Sequence, residues 1–320
     1  MRPQDILRLV ESVLTLSPST SDDSPRQSVR HLFSFGNSYT TTSFNASSIQ
    51  PSPENPMGNP PLGTVHDPIR SLERHDNIDP TGSGTAADSI NWVGYLATVY
   101  NDTTVLSYNH AVYGATVNNT VVPGVPHDLA YQVSRVFEPH YCLPVGSEAK
   151  SGERWTPEAA LFTVWIGIND IYSLSQRTAP FKDMSSILRS YFNLVDRLHD
   201  CGARNFLIFN VPPCDRSPKI LTLEPSDIRL YSAVTEEFNR QLLDAVEQWQ
   251  LANPDSAMTT YDAWSFFTQI LDSPQGYGFV DGMCIGARKG CVWWDDFHPV
   301  SALHRLLAAD IGRFLGWLDE

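Results

Sequence analysis

The chain has 320 residues, of which 42% are hydrophobic and 11% aromatic, so it can build a packed core and is not a disordered protein. With 36 acidic against 22 basic side chains it carries a net charge of −14, which excludes nucleic acid and anionic membrane surfaces as partners and favours neutral or cationic small molecules. No apolar run approaches the roughly 18 residues of a membrane-spanning helix, so no membrane span is expected.

Residues 1–29 predict an amphipathic segment followed by a flexible link. Apolar residues recur there at helical spacing, and Arg8 and Glu11 interrupt the apolar run that a signal peptide would need. The Ser- and Pro-rich stretch 17–28 leads into residues 30–320, which we expect to form a single domain. Because no clear signal peptide is present, the compartment stays open between export and the cytoplasm.

Short apolar runs alternate with longer amphipathic stretches along residues 30–320. The apolar runs predict five strands, at 31–35, 103–108, 160–167, 205–211 and 257–261. The amphipathic stretches predict helices near 88–100, 126–138, 184–200, 226–251 and 300–318. This alternation predicts an α/β fold with three α/β/α layers and a mainly parallel five-stranded sheet. The Pro-, Gly- and Asn-rich stretch 46–87 is predicted to cross the carboxyl end of that sheet.

The five cysteines do not decide the compartment. Cys284 and Cys291 bracket a short loop and could form a disulfide in an exported protein, whereas Cys142, Cys201 and Cys214 have no partners that spacing suggests. No C-x-x-C motif or His/Cys cluster appears, so we expect no metal and no other cofactor.

Polar residues and one glycine follow the predicted strands where each strand ends. Ser38 follows the first strand, Gly114 the second and Asn169 the third, while Asp295 and His298 stand directly before the last helix. Because parallel strands end at one edge of their sheet, residues far apart in sequence can converge there.

These residue types are the ones that acyl transfer by a serine nucleophile requires. We expect Ser38 to be the nucleophile, His298 its base and Asp295 the carboxylate that orients the imidazole. The backbone N–H groups of Ser38 and Gly114 and the side-chain amide of Asn169 are then the donors for the oxyanion. A side chain at position 114 would obstruct the approach of the substrate to that N–H group.

Four blocks of the sequence, FGNSY, VYGAT, GIND and DDFHP, resemble the blocks of the SGNH or GDSL-type hydrolases. Longer words, among them FGNSYTTTSF, INWVGYL, GARNFLIFNVPP and WWDDFHP, are most similar to the fungal acetylesterases of carbohydrate esterase family 16. The resemblance implies a flavodoxin-like α/β/α fold, a metal-free serine esterase, a monomer, a small-molecule ester substrate and secretion. Matched by position, Ser38, Asp295 and His298 form the triad, and Ser38, Gly114 and Asn169 form the oxyanion hole.

One residue of the first block departs from the family pattern. Asn37 stands where the family has Asp, so we expect a tuned or weakened site. Asn37 and one of Trp293 and Trp294 are predicted to line the substrate cleft, whereas Trp165 is predicted to pack in the core.

Three functions are weighed on these observations. The leading one is hydrolysis of acetyl or other short-chain esters, of sugars or oligosaccharides, through a Ser-His-Asp acyl-enzyme. The absence of a clear export signal motivates an alternative, an intracellular acyl hydrolase or acyltransferase acting on a secondary metabolite. Asn37 alone suggests a third, a non-catalytic carbohydrate-binding protein on an esterase scaffold.

Overall fold

A five-stranded parallel sheet runs through the centre of the molecule. The computed structural model describes residues 29–59, 84–142 and 154–318. The strands lie in the order β2-β1-β3-β4-β5, and every neighbouring pair is parallel. They are β1 His31–Gly36, β2 Leu106–Asn109, β3 Ala160–Trp165, β4 Asn205–Phe209 and β5 Ala257–Tyr261. The prediction of an α/β fold around a five-stranded parallel sheet is therefore confirmed.

The strands read as continuous apolar runs because helices cover both faces of the sheet. All residues of β1 and β3 are buried. On one face, the ring of Phe33 stacks between those of Tyr108 and Phe162, with centroids 4.8 and 4.9 Å away. Aromatic rings from three adjacent strands thus pack in one layer and hold the strands in register.

Helices connect the strands and cover the sheet. They are α1 Trp92–Thr98, α2 Leu129–Tyr131, α3 Glu138–Tyr141, α4 Ile168–Ser175, α5 Met184–Asp200, α6 Pro218–Leu221, α7 Pro225–Ala252, α8 Ala263–Asp272 and α9 Ser301–Phe314. The longest, α7, begins at a proline, where the missing N–H costs no helical hydrogen bond. Its buried residues recur every three or four positions, which turns one stripe of the helix toward the core.

Several elements differ from the sequence prediction. The helices α4 and α8 were not predicted, because each is short and follows its strand almost directly. A separate two-stranded parallel ladder, β6 Asp281–Ile285 and β7 Cys291–Trp293, also appears. The predicted helix in residues 1–29 and the central part of stretch 46–87 lie outside the described residues. The domain boundaries stay a prediction.

The helix predicted over 126–138 is interrupted by a π-helical turn. Residues Gln132–Phe137 form this turn between α2 and α3. The side chain of Gln132 bonds to the end of β1, where its Oε1 accepts from Gly36 N at 2.9 Å and its Nε2 donates to Gly36 O at 2.8 Å. The π-helical turn is therefore attached to the strand end that precedes Ser38.

Two disulfides cross-link the described part of the chain. One joins Cys284 to Cys291, the pairing that the short loop suggested. The other joins Cys142, at the end of α3, to Cys201, at the end of α5. Spacing gave no sign of this second bridge, because the two cysteines are 59 residues apart and only the packing of the helices brings them together. Cys214 is buried and unbridged.

No helix within the described ranges is both long and apolar enough to cross a membrane. In the same residues, no group of three or more His, Cys, Asp or Glu side chains could hold a metal ion.

We expect the double variant Cys142→Ser/Cys201→Ser to lose about 4 kcal/mol of unfolding free energy, because this bridge shortens the unfolded chain over a span of 59 residues. The matched variant Cys284→Ser/Cys291→Ser frees a span of only 7 residues and should lose about 2 kcal/mol. Denaturant unfolding of both variants and the native chain measures the two losses. Equal losses, or a larger loss for the short loop, would contradict this expectation.

Candidate active site

Three side chains from opposite ends of the sequence meet at the carboxyl end of the sheet. Nε2 of His298 lies 2.9 Å from Oγ of Ser38. Nδ1 of His298 lies 2.8 Å from Oδ2 and 3.0 Å from Oδ1 of Asp295. Because a carboxylate only accepts, Nδ1 carries the proton and Nε2 is left to accept the hydroxyl hydrogen of Ser38. This is the arrangement in which a serine can give up its proton as it attacks.

The short turn Asp295–His298 holds the carboxylate in its ionised form. Burial by itself would raise the pKa of Asp295. The hydrogen bond from His298 and those from the backbone N–H groups of Phe297 and His298, at 2.8 and 2.7 Å, outweigh burial and lower the pKa below its ordinary value. Asp295 therefore stays charged and orients the imidazole.

Gly36 permits the sharp turn that presents Ser38. Its φ is +148°, and a Cβ at this position would collide with the carbonyl of Trp165 on the adjacent strand. Past the serine, the backbone N–H groups of Thr40 and Thr41 both donate to Asn37 O at 3.0 Å. These contacts fix the backbone on both sides of the nucleophile.

Tyr39 is a positioning residue that the sequence reasoning missed. Its ring is buried, and its hydroxyl donates to the carbonyl oxygen of Phe297 at 2.6 Å. Its ring centroid is 5.8 Å from that of His298. Tyr39, which follows the nucleophile, is thus hydrogen-bonded to Phe297, which precedes His298. Its place in the FGNSY block was the only signal in the sequence.

Asn169, the second residue of α4, lines a cavity together with Ser38, and Gly114 lies on the loop after β2. Nδ2 of Asn169 donates one hydrogen to Ala115 O at 2.8 Å, which leaves its second hydrogen for a ligand. Gly114 has a φ of +75°, and a Cβ there would approach Cγ1 of Val125 to 2.8 Å. The backbone conformation and the packing thus require glycine at this position, and its role in giving the substrate access to the N–H group stays a prediction.

A cavity of about 190 Å³ opens above the triad. Ser38, His298 and Asn169 line it together with Tyr113, Tyr172, Lys219, Asp296 and Phe297. The Lys219 ammonium lies 5.2 Å from the ring centroid of Tyr172 and 5.6 Å from that of Phe297, within the range of cation–π attraction. Sequence reasoning found none of these five additional residues, since single aromatic and charged residues in loops and short helices carry no pattern.

The tryptophans do not line this cavity. Trp293 is 1% exposed and its Nε1 donates to Gly282 O, whereas Trp294 is half-buried against the core, so the prediction that one of them lines the cleft is wrong. Trp165 packs in the core, as expected.

Asn37 does not line the cavity either, so that prediction is also wrong. Its side chain is fully buried and its Oδ1 accepts from Tyr39 N at 3.1 Å, while its Nδ2 has no hydrogen-bond partner among the described residues. Asn37 therefore supports the turn that carries Ser38, and it does so from the buried side of that turn.

Asp170 is a buried carboxyl group directly after Asn169. Both of its oxygens accept from Val117 N, at 3.1 and 3.2 Å, which ties α4 to the loop after β2. Burial raises the pKa of Asp170 to about 7; this hydrogen bond opposes the rise, the charge of Asp128 adds to it, and Arg177 opposes it.

Comparison with known proteins identifies relatives that span the whole described site. The family model for GDSL-like lipase/acylhydrolase proteins matches residues 32–311. An acetylesterase of Thermothelomyces thermophilus is 32% identical over 285 residues, which are 88% of this chain and 86% of that protein.

Other similarities are weaker or cover less of the relative. A thermolabile hemolysin of Vibrio parahaemolyticus is 24% identical over 68% of this chain and 52% of its own length. A GDSL esterase/lipase of Arabidopsis thaliana is 24% identical over 46% of this chain and 50% of its own length. Axe2, an acetylxylan esterase from Geobacillus stearothermophilus, has a solved structure that is 15% identical with a TM-score of 0.49, covering 92% of this chain and 100% of that one.

As the pH rises, the unfolding free energy of the native chain should fall relative to that of the Asp170→Asn variant. The folded pKa of about 7 lies above the ordinary carboxyl value of 3.8, so the contribution is full below about pH 4 and is lost as pH rises through 7. Between pH 5 and pH 8 we expect the difference to move by about 2 kcal/mol in favour of the variant. Denaturant unfolding at a series of pH values measures it, and a difference that does not change with pH would contradict the expectation.

Asn37→Asp should leave esterase activity equal to or above that of the native chain. The substitution keeps the acceptor for Tyr39 N and replaces an amide nitrogen to which no described residue is hydrogen-bonded. The value of kcat/KM on p-nitrophenyl acetate measures the effect, with thermal unfolding as a check on folding. Asn37→Ala is the control, because it removes the acceptor and should lower activity. A large loss in Asn37→Asp would show that the amide itself is required.

Proposed function

The chain belongs to the GDSL-like lipase/acylhydrolase family and is a carboxylic ester hydrolase, and from this premise we propose that it removes acetyl and other short acyl groups from sugars and oligosaccharides. The observation that carries the proposal is the hydrogen-bonded series from Ser38 through His298 to Asp295. Family membership also sets aside a non-catalytic carbohydrate-binding protein.

In the proposed mechanism, Ser38 Oγ attacks the carbonyl carbon of the ester while its proton passes to His298 Nε2. The C–O bond to the alcohol then breaks, and the protonated imidazole gives its proton to the departing oxygen. A water molecule attacks the acyl-enzyme with His298 as base, and the proton returns to Ser38 Oγ as the acid leaves. Asp295 stabilises the imidazolium that forms in both steps.

The oxyanion of each tetrahedral intermediate is placed among three donors. We assign them to the backbone N–H groups of Ser38 and Gly114 and the remaining N–H of Asn169. The bond from Asn169 Nδ2 to Ala115 O supports this role, since it fixes the amide before substrate binds. Donors fixed in advance need no reorganisation when charge develops, which is why they accelerate the reaction.

Preference for a short acyl group is supported by the dimensions of the site. The cavity above Ser38 measures about 190 Å³ and must hold the acyl group and the nearest part of the alcohol. The similarity over most of its length to a protein named acetylesterase points the same way. The aromatic walls of the cavity support a sugar as the alcohol component of the ester, because flat rings can pack against pyranose faces.

Export of the protein is supported by its disulfides. Disulfides persist in oxidising compartments and are rare in the cytosol. The two bridges therefore favour an enzyme that meets saccharides outside the cytoplasm over an intracellular enzyme acting on a secondary metabolite.

The test is a substrate screen with the purified chain and its Ser38→Ala variant. Acetylated mono- and oligosaccharides, p-nitrophenyl esters of increasing chain length and acetylated small metabolites are compared by kcat/KM. We expect acetylated saccharides and p-nitrophenyl acetate to be the preferred substrates, and Ser38→Ala to lose roughly 10⁴-fold or more of the activity. Full activity in Ser38→Ala would overturn the mechanism. Preference for an acetylated metabolite, or transfer of the acyl group to an acceptor other than water, would overturn the substrate assignment.

A further inference from the structure

A second cavity adjoins the one above the triad. It measures about 440 Å³, and Tyr113 lines both cavities. The ring of Tyr113 lies 5.1 Å from that of His298, between their centroids. A substrate that reaches from the catalytic cavity into the larger one would therefore pass Tyr113.

The π-helical turn presents side chains to this second cavity. Arg135 and Val136 belong to the turn, and Tyr131 immediately precedes it. Turns of this kind are rare and occur frequently at functional sites. Because Gln132 of the same turn is bonded to Gly36, the wall of the second cavity and the strand end before Ser38 are held in fixed relation.

Among the described residues, the lining of the second cavity includes Arg135 and no carboxylate. Arg135 brings a positive charge to it, although the chain as a whole carries a net charge of −14. His127 and His140 also line it, and so does His110, whose burial lowers its pKa to about 3 and keeps it neutral. Arg135 forms no ion pair within residues 29–59, 84–142 and 154–318. Glu138, one helical turn further on, is engaged by Arg197 at 2.6 Å. The guanidinium group is therefore available to a ligand.

The remaining polar groups suit a saccharide. Ser43, Asn45 and Ser47 bring hydroxyl and amide groups to the cavity. Nδ1 of His140 bonds to Val136 O at 2.7 Å, so it carries the proton, and Nε2 lies 3.2 Å from the Ser47 hydroxyl. The half-exposed ring of Tyr131 stacks on that of His127 with centroids 4.1 Å apart, which makes a flat apolar surface.

We propose that the second cavity is a subsite for a uronic acid unit of an acetylated oligosaccharide, whose carboxylate binds Arg135. This proposal rests on the proposed function and narrows its substrate class. Arginine binds carboxylates through two parallel hydrogen bonds, and no acidic side chain among the described lining residues opposes that attraction. The acyl group of a neighbouring unit then reaches Ser38 past Tyr113.

The experiment compares four substrates on the full chain. Two acetylated xylo-oligosaccharides have equal length, and one of them carries a uronic acid unit. The third is the methyl ester of the acidic one, which keeps its shape and removes its charge. The fourth, p-nitrophenyl acetate, fills only the catalytic cavity. We expect kcat/KM for the acidic oligosaccharide to exceed that for the neutral oligosaccharide and that for the methyl ester by about tenfold, as one charge-assisted contact allows.

The variant Arg135→Gln should remove this preference by raising KM for the acidic oligosaccharide about tenfold. It should leave p-nitrophenyl acetate and the neutral oligosaccharide unchanged. Arg229→Gln is the matched control, because Arg229 is exposed on α7, lines neither cavity and should behave like the native residue. Added salt should also lower the preference of the native chain, because the contact is electrostatic.

Two results would overturn the subsite. Equal kcat/KM for the acidic oligosaccharide and its methyl ester would show that the carboxylate is not bound. An equal loss on all four substrates in Arg135→Gln would show a structural effect. Failure of the proposed function has a different signature, since p-nitrophenyl acetate would be hydrolysed while every acetylated saccharide remained a poor substrate. That result would overturn both proposals.

Discussion

The hydrogen bond between Ser38 and His298 joins the first strand to the segment before the last helix, across 260 residues. A second bond, from the Tyr39 hydroxyl to Phe297 O, spans 258 residues beside it. Neither bond is local, so both exist only when β1 is paired in the centre of the sheet and α9 is docked beside α1. The geometry of the site is therefore a property of the complete sheet, and any change that loosens the packing between the two ends of the chain also loosens the triad.

The sequence indicated the strands well because each strand of a covered parallel sheet is a continuous apolar run. Ser38, Asn169 and His298 could be found for a related reason, since the topology places the end of every strand at one edge. The Cys142–Cys201 bridge and the bond from Gln132 to Gly36 could not be found, because both depend on how a helical segment packs against elements distant in sequence.

The sequence also did not predict the direction in which individual side chains point. Trp293 stands two residues before Asp295, yet its ring is turned into the core. Asn37 adjoins the nucleophile, yet it is buried behind it. Proximity in sequence to a reacting group thus says little about contact with substrate. Tyr113, in a loop, and Tyr172, on the short helix α4, do reach the cavity, although no sequence pattern marks them.

Net charge and local charge govern different interactions of this molecule. The value of −14 describes the field at a distance, which governs encounters with polyanions. Exposed charges further away than the Debye length of about 8 Å are largely screened, so the charges that line a cavity have the larger influence on what binds there. The positive charge of Arg135 therefore suits an anionic ligand, whereas composition favours neutral or cationic partners. This difference is confined to the second cavity.

The π-helical turn makes the number of residues in this segment as important as their identity. A π-helix closes its hydrogen bonds over one more residue than an α-helix does, so Gln132–Phe137 contains a residue that a regular helix would not accommodate. Loss of one residue here would restore α-helical bonding and rotate the following side chains by about 100° around the axis. Relatives that differ by a single insertion or deletion at this point would present a different face to the cavity while keeping the same triad.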